Sequence, residues 1–317
     1  MAVSDFVMEQ GCRSPDMLVE LLGSGELYRS LAENELYESL DSQLAQCDSE
    51  ENLIALLRRF RNRHQVRIIW RDITRQSALD ETCRDLSDLA DVCIDLACNW
   101  LHVQQCEQFG TPAGRHTGMP QRMIVLGMGK PGARELNRSS DIDLIFAYPE
   151  GGETEGVRRS LDNQEFFTRL GQRLIKVLDV ITADGCVFRV DMRLRPYGSR
   201  GPLVYTFTAL EQYYQSQGRD WERYAMIKAR MVSGDPVAGR QLEDLMRPFV
   251  YRRYLDFSAI EALRAMKNLI QQEVRRKGMD QNIKLGAGGI REIEFTAQAF
   301  QLIHGGRVLS LQQRSLR

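Results

Sequence analysis

The sequence predicts an α+β protein, mostly helical, in which a small mixed β-sheet is flanked by an N-terminal and a C-terminal helical region. Three observations carry that expectation. Residues 3 to about 108 place apolar side chains at three- and four-residue steps, the period of a helix packed on one side. From Gly110 the pattern changes to short apolar runs broken by glycine and proline, which read as strands. From Thr208 the helical period returns. The expected division is therefore 1–110, 111–207 and 208–317. A chain of 317 residues that is 43% hydrophobic can bury a real core in such an arrangement.

The elements follow in order. Asp48 and Glu51 have capping-box spacing, with Asp in place of Ser or Thr, ahead of a helix running from Glu50 to about Gln76. A second long helix, from about Asp80 to Gln108, carries Leu86, Leu89, Ala90, Cys93, Leu96, Ala97, Trp100 and Leu101 on its apolar face. The short join near Ser77 makes the two an antiparallel pair, with Trp70 and Trp100 as core anchors. After the turn-rich GTPAGRHTGMP, Met123–Leu126 reads as a buried strand and Ile142–Ala147 as a second, stopped by Pro149. Leu161 to about Thr182 is an amphipathic helix, Cys186–Leu194 alternates as a strand, and Pro202–Tyr205 adds a further candidate. Helices are expected near 208–216, 219–232, 236–247, 258–277 and 290–304.

Composition narrows the function classes. Lys and Arg total 42 against 43 for Asp and Glu, a net charge of −1, whereas nucleic-acid partners usually leave a clear basic excess. No apolar run nears the roughly 20 residues needed to span a bilayer. The start, MAVSDFVMEQ, has neither the basic flank nor the apolar core of a signal peptide. Seven scattered cysteines without a C-x-x-C pair read as reduced thiols of a cytoplasmic protein. His64, His102, His116 and His304 lack metal-ligand spacing.

The chemistry concentrates in Leu126–Phe146, LGMGKPGARELNRSSDIDLIF. Asp141 and Asp143 alternate along a strand, so both carboxylates face one side while Ile142 and Leu144 face the core. Two like charges side by side need a compensating cation, and Mg²⁺ is a hard ion held by carboxylates with positions left for water and phosphate. A lone D-x-D is more often a pair of solvated loop acids. Three features raise the functional odds. Gly127 and Gly129 follow a buried strand and let the backbone approach a phosphate; Ser139 and Ser140 offer donors just ahead of the acids; and Asp191 lies in a second strand-like segment. A neighbouring strand bringing Asp191 beside the pair would complete a three-carboxylate clamp for two metal ions. Arg193 and Arg195 share the Asp191 face by the period-two rule; binding phosphate and pairing with acids are equally good readings for them. Lys130 is either a phosphate contact or a solvated lysine. Gly286, Gly288 and Gly289 precede a helix whose free amides would favour an anion, and at most one of Glu292 and Glu294 can face the site. Trp221 and Tyr224, three apart, read as core packing, with Glu222 or Arg223 reaching a nucleotide as the sharper alternative.

The ordered set of glycines, D-h-D and a strand-borne acid resembles the nucleotidyltransferase superfamily related to DNA polymerase beta. More specifically, GMGKPGARELNRSSDIDLIF, VDMRLRP, RDWERYAMIKAR and GAGGIREIEF resemble the glutamine synthetase adenylyltransferase family, over nearly the whole chain. That family has two related halves, one attaching AMP to a glutamine synthetase tyrosine and one removing it by phosphorolysis. The resemblance implies a nucleotidyltransferase core at 111–207 and a longer protein of which these residues are one half. Met192, Arg219–Met226 and Gly286–Phe295 favour the adenylyl-removing half. Pro131 and Ala133 depart from the Leu and Gly more usual there: Pro131 stiffens the loop and Ala133 resists a positive φ, while the acids are unchanged. The implied reaction is Mg²⁺-dependent: inorganic phosphate attacks AMP-tyrosine and yields ADP. Asp141, Asp143 and Asp191 are then metal ligands and catalytic groups, and Gly127, Gly129, Lys130, Ser139, Ser140, Arg193 and Arg195 bind nucleotide or phosphate. The implied partners are adenylylated glutamine synthetase, ADP or ATP, and the PII signalling protein, with glutamine as effector. The rival readings are adenylyl transfer from ATP and a silent nucleotide- or effector-binding module of a larger enzyme; nucleic-acid polymerisation lacks a basic groove.

Overall fold

The computed structural model describes residues 4–252, 257–276, 278, 282–284, 286 and 288–315. Val3, Lys277, Leu285 and Ala287, which fall in segments read as helix or glycine turn, lie outside them. The N-terminal region is helical, but in five pieces: α1 (Asp5–Arg13), α2 (Pro15–Gly23), α3 (Glu35–Leu44), α4 (Glu50–Ile73) and α5 (Leu79–Phe109). The cap of α4 is one residue later than the sequence suggests. Ser49 has extended backbone, and its hydroxyl accepts from Asn52 N, while Asp48 accepts from the Asn52 side chain instead. A hydroxyl adjacent to the first turn out-competes a carboxylate one residue further away. Polar side chains register α4 against α5. Arg71 pairs with Glu81, Thr82 donates to Asp72, and Arg67 faces Asp85, so residue numbers run in opposite directions along the two helices. Trp70 and Trp100 are partly buried against apolar clusters, and all seven cysteines are free thiols.

A two-residue strand β1 (Thr111–Pro112) precedes β2 (Ile124–Met128), the five-residue helix α6 (Gly129–Ala133) and β3 (Ile142–Tyr148). Then come β4 (Thr154–Glu155), α7 (Asn163–Asp179), β5 (Val190–Asp191), β6 (Val204–Thr206), α8 (Phe207–Ser216), α9 (Asp220–Met226), β7 (Arg230–Ser233), α10 (Pro236–Val250), α11 (Phe257–Arg276) and α12 (Ile290–His304). The main sheet is mixed. β2 lies antiparallel between β3 and β7, while β5 and β6 pair in parallel with successive parts of β3. The segment Cys186–Leu194 contributes only Val190 and Asp191 to a ladder. Arg230–Ser233, read as the end of a helix, is an edge strand, because β2 offers it an unpaired edge and Val232 and Ser233 bury there.

The sheet has helices on both faces, and alternation decides which residue goes where. Ile142, Leu144, Phe146 and Tyr148 point into a core shared with α3, α4, α5 and α7. Ile145 and Ala147, with Ile124, Leu126 and Met128, point into a second core built by α8, α9, α10 and α12. Asp143 belongs by period to that second face. Among the described residues no helix is long and apolar enough to cross a membrane.

Candidate active site

β3 opens with the two acids, and its parallel neighbour supplies the third. Asp143 stands in register with Met128 of β2 on one side and with Asp191 of β5 on the other. Parallel pairing puts both carboxylates at the same level of the sheet. The consequence is electrostatic. Burial, and then the charges of Asp191 and Asp141, push the Asp143 carboxyl up to about 6, opposed more weakly by Arg193 and Lys130. Asp141 lies just before the strand rather than in it, and Arg189 Nε meets its carboxylate at 2.6 Å. Asp191 is held below the usual carboxylate range, chiefly by Arg193, whose Nε lies 2.8 Å from Oδ2. Three carboxylates, the central one half-buried, offer oxygen donors only, which suits a hard divalent cation in kind. As placed, Asp141 and Asp191 are turned to their arginines. Among the described residues no three His, Cys, Asp or Glu side chains converge on one point.

The glycines divide their work. Gly129 has a φ of 58°, and a Cβ there would lie 3.4 Å from Asp143 Oδ2, so the loop turns directly over the central acid. Gly127 sits within β2, where a Cβ would meet Val232 at 2.9 Å; it lets β7 and α6 approach. Lys130 Nζ donates to Ser140 Oγ at 3.0 Å, and burial together with the Lys284 charge pulls its pKa down. Ser139 is exposed, and its carbonyl accepts from Arg189 at 3.2 Å.

The period-two placement of the arginines fails, since the chain turns immediately after Asp191. Arg195 N bonds back to Met192 O, and the Arg195 guanidinium is spent on the carbonyls of Met192 and Pro202. Arg193 reaches Asp191 through a turn, with its own N–H also donating to Oδ1 at 2.8 Å. Among its described residues the glycine turn before α12 is likewise not a free anion nest. Gly289, Ile290 and Arg291 donate to carbonyls of Gly286, Ile283 and Lys284, and Gly288 N donates to Glu292. Of the two acids on α12, Glu292 pairs with Lys267, while Glu294 turns inward to Lys228. In RDWERYAM, Glu222 accepts from Tyr213 and from Arg219 N, and Arg223 pairs with Asp220; both are structural. Tyr224 stacks on Phe295, but Trp221 is 39% exposed rather than core.

Sequence reasoning missed two residues of the same motif. Arg230 donates to the carbonyls of Pro131 and Gly132 and pairs with Asp91 at 2.8 Å, fastening α6 to α5. Lys228, 5% exposed, bonds Glu135 and Glu294. The signal was present as K-x-R alternation, hidden by reading the segment as helix.

The mixed sheet thus sets Asp143 and Asp191 side by side on parallel strands, beneath the Gly129 turn, an arrangement of the kind phosphoryl chemistry uses. The comparisons give the family. The model of the glutamate-ammonia ligase adenylyltransferase family matches residues 1–244, and the chain belongs to that family. A second model, GlnD PII-uridylyltransferase, matches residues 264–315. The chain is 74% identical over 315 residues to a bifunctional glutamine synthetase adenylyltransferase/adenylyl-removing enzyme of Pseudomonas aeruginosa, covering 99% of the chain and 32% of that protein. Proteins of the same description from Nitrosococcus oceani and Shewanella woodyi are 58% and 55% identical, covering 99% and 100% of the chain and 32% and 33% of their own lengths. The chain thus spans about a third of the length of these curated relatives.

Proposed function

We propose that this site removes AMP from adenylylated glutamine synthetase, in the cytoplasm, by Mg²⁺-dependent phosphorolysis. The observation that carries the reading is the register of Asp143 with Asp191, where burial, and then the neighbouring carboxylate charges, raise the pKa of the central acid. Asp143 and Asp191, with Asp141 once released from Arg189, would hold the metal. When bound, Mg²⁺ would neutralise the phosphoryl oxygens and the departing phenolate. Inorganic phosphate attacks the α-phosphorus, the bond from phosphorus to the tyrosine oxygen breaks, and the products are ADP and the unmodified tyrosine side chain of glutamine synthetase. Phosphate is anionic at neutral pH and needs orientation more than a base. Lys130 supplies one cationic contact beside the acids, and Arg193 a second when it leaves Asp191. The Gly129 turn lets the backbone approach the phosphates.

The motifs VDMRLRP, RDWERYAM and GAGGIREIEF support the removing direction. The relatives' shared name carries both activities, so transfer of AMP from ATP is the second reading. The match of residues 264–315 to a family named for PII uridylylation supports PII as a regulator. Incubation with adenylylated glutamine synthetase, phosphate and Mg²⁺ tests the proposal: ADP should form, and Asp143→Asn and Asp191→Asn should abolish it. AMP incorporation from ATP without ADP release would reverse the direction. Turnover and metal binding that survive both Asp141→Asn and Asp143→Asn would move the site elsewhere.

A further inference from the structure

Lys228 has no part in the chemistry above, yet it touches the candidate phosphate loop twice and α12 once. Its side chain is 6% exposed, and its ammonium donates to Glu135 Oε2 at 3.1 Å, on the chain leaving α6, and to Glu294 Oε1 on α12. Its backbone carbonyl occupies the space beside Gly132, where a Cβ would come within 1.8 Å. Glu135 in turn donates its N–H to Lys130 O at 2.9 Å. A displacement of Glu135 therefore reaches Lys130 and Gly129, the residue lying against Asp143. With the ammonium removed, Glu135 keeps its hydrogen bond from Ser315, but the cation between it and Glu294 is gone from a partly buried site, which favours separation of the elements that carry the two carboxylates.

We propose that Lys228 is a positioning residue. It holds the 129–135 loop over Asp143 and couples that loop to the start of α12. Only the kinetic arm of the test rests on the reading of the site as an AMP-removing centre. In the 317-residue protein, amide hydrogen exchange of residues 130–140 and 290–294 is compared for wild type, Lys228→Met, Lys228→Arg and Glu294→Gln. Lys228→Met should speed exchange of 130–140 about tenfold, since a charged hydrogen bond anchoring the loop is lost. It should also lower kcat on adenylylated glutamine synthetase more than it raises KM, and Lys228→Arg should recover both. Glu294→Gln should loosen 290–294 alone, because Glu135 still holds Lys228. Unchanged exchange of 130–140 in a folded Lys228→Met protein overturns the proposal. If that variant does not fold, Glu135→Gln probes the same loop, and unchanged exchange there overturns it equally. Faster loop exchange alongside a wild type that releases no ADP supports the positioning role and removes the functional reading.

Discussion

Replacing Gly132 by alanine adds one methyl group at the most crowded point around the acids. Its Cβ would lie 1.8 Å from the Lys228 carbonyl oxygen and 2.6 Å from that of Gly127, distances below the 3.0 Å that Cβ atoms observe. Both obstacles are backbone atoms, so no side-chain rotation relieves them. Either α6 leaves β2, or the chain between α9 and β7 moves by more than 1 Å. The second course strains the two hydrogen bonds from Arg230 to Pro131 O and Gly132 O and the Lys228–Glu135 contact. Overpacking costs about 1–3 kcal/mol, and one charged hydrogen bond lost adds about 1.5–3 kcal/mol. The expected loss is therefore about 3–5 kcal/mol, a large fraction of a domain's stability. Urea unfolding followed by tryptophan fluorescence measures it, with an unchanged slope showing that the same surface is exposed. A Gly132→Ala protein within about 1 kcal/mol of wild type would refute this account of how α6 is seated.

Three further outcomes are expected. Gly129→Ala should cost only about 1–2 kcal/mol, because its φ of 58° is strained for alanine while the nearest atom, Asp143 Oδ2, lies at an ordinary 3.4 Å; a loss above that of Gly132→Ala would contradict it. Arg58 is fully buried and donates to the carbonyls of Ile54, Val177, Val180 and Gly185, so Arg58→Met should lower stability by about 3–5 kcal/mol in the same urea assay. Burial holds His64 neutral, with its pKa lowered to about 3, whereas the unfolded chain takes up the proton near 6.5. Unfolding thus binds more protons as pH falls through that window, and His64 alone should cost up to about 2 kcal/mol between pH 6.5 and 5. Melting temperatures across that range should fall less steeply in His64→Gln, and parallel curves would count against the assignment.

Much of the fold was legible because the apolar period is clear where helices bury one side, as in α5 and α7. It was less legible in α4, which buries His64 and also Arg58, Arg67 and Arg71, the arginines holding neighbouring loops, so polarity there does not mark the solvent face. β7 was hidden for a related reason. Four residues cannot show a period, and what makes Arg230–Ser233 a strand is the edge of β2, which the local sequence does not contain. At the site, the strand positions of Asp143 and Asp191 could be read from alternation, but that of Asp141 could not, because it lies just before β3 and turns to Arg189. The positions of Arg193 and Arg195 could not, because the strand ends at Asp191 and the rule of two ends with it. The glycine turn before α12 misled in the other direction: the amides of its described residues bond within their own loop and to the Glu292 carboxylate.

The register between Asp143 and Asp191 also bears on the order of folding. The two acids belong to strands separated in sequence by the whole of α7, and they become neighbours only when that crossover has closed and β5 has zipped onto β3. Contacts of long sequence separation form late, since the chain must lose loop entropy before they repay it. A collapsed intermediate with α4, α5 and α7 in place would therefore have most of the first core and no assembled acidic site. Under the proposed Mg²⁺ reading, ion binding during refolding should appear as one of the last signals, after helix content has recovered.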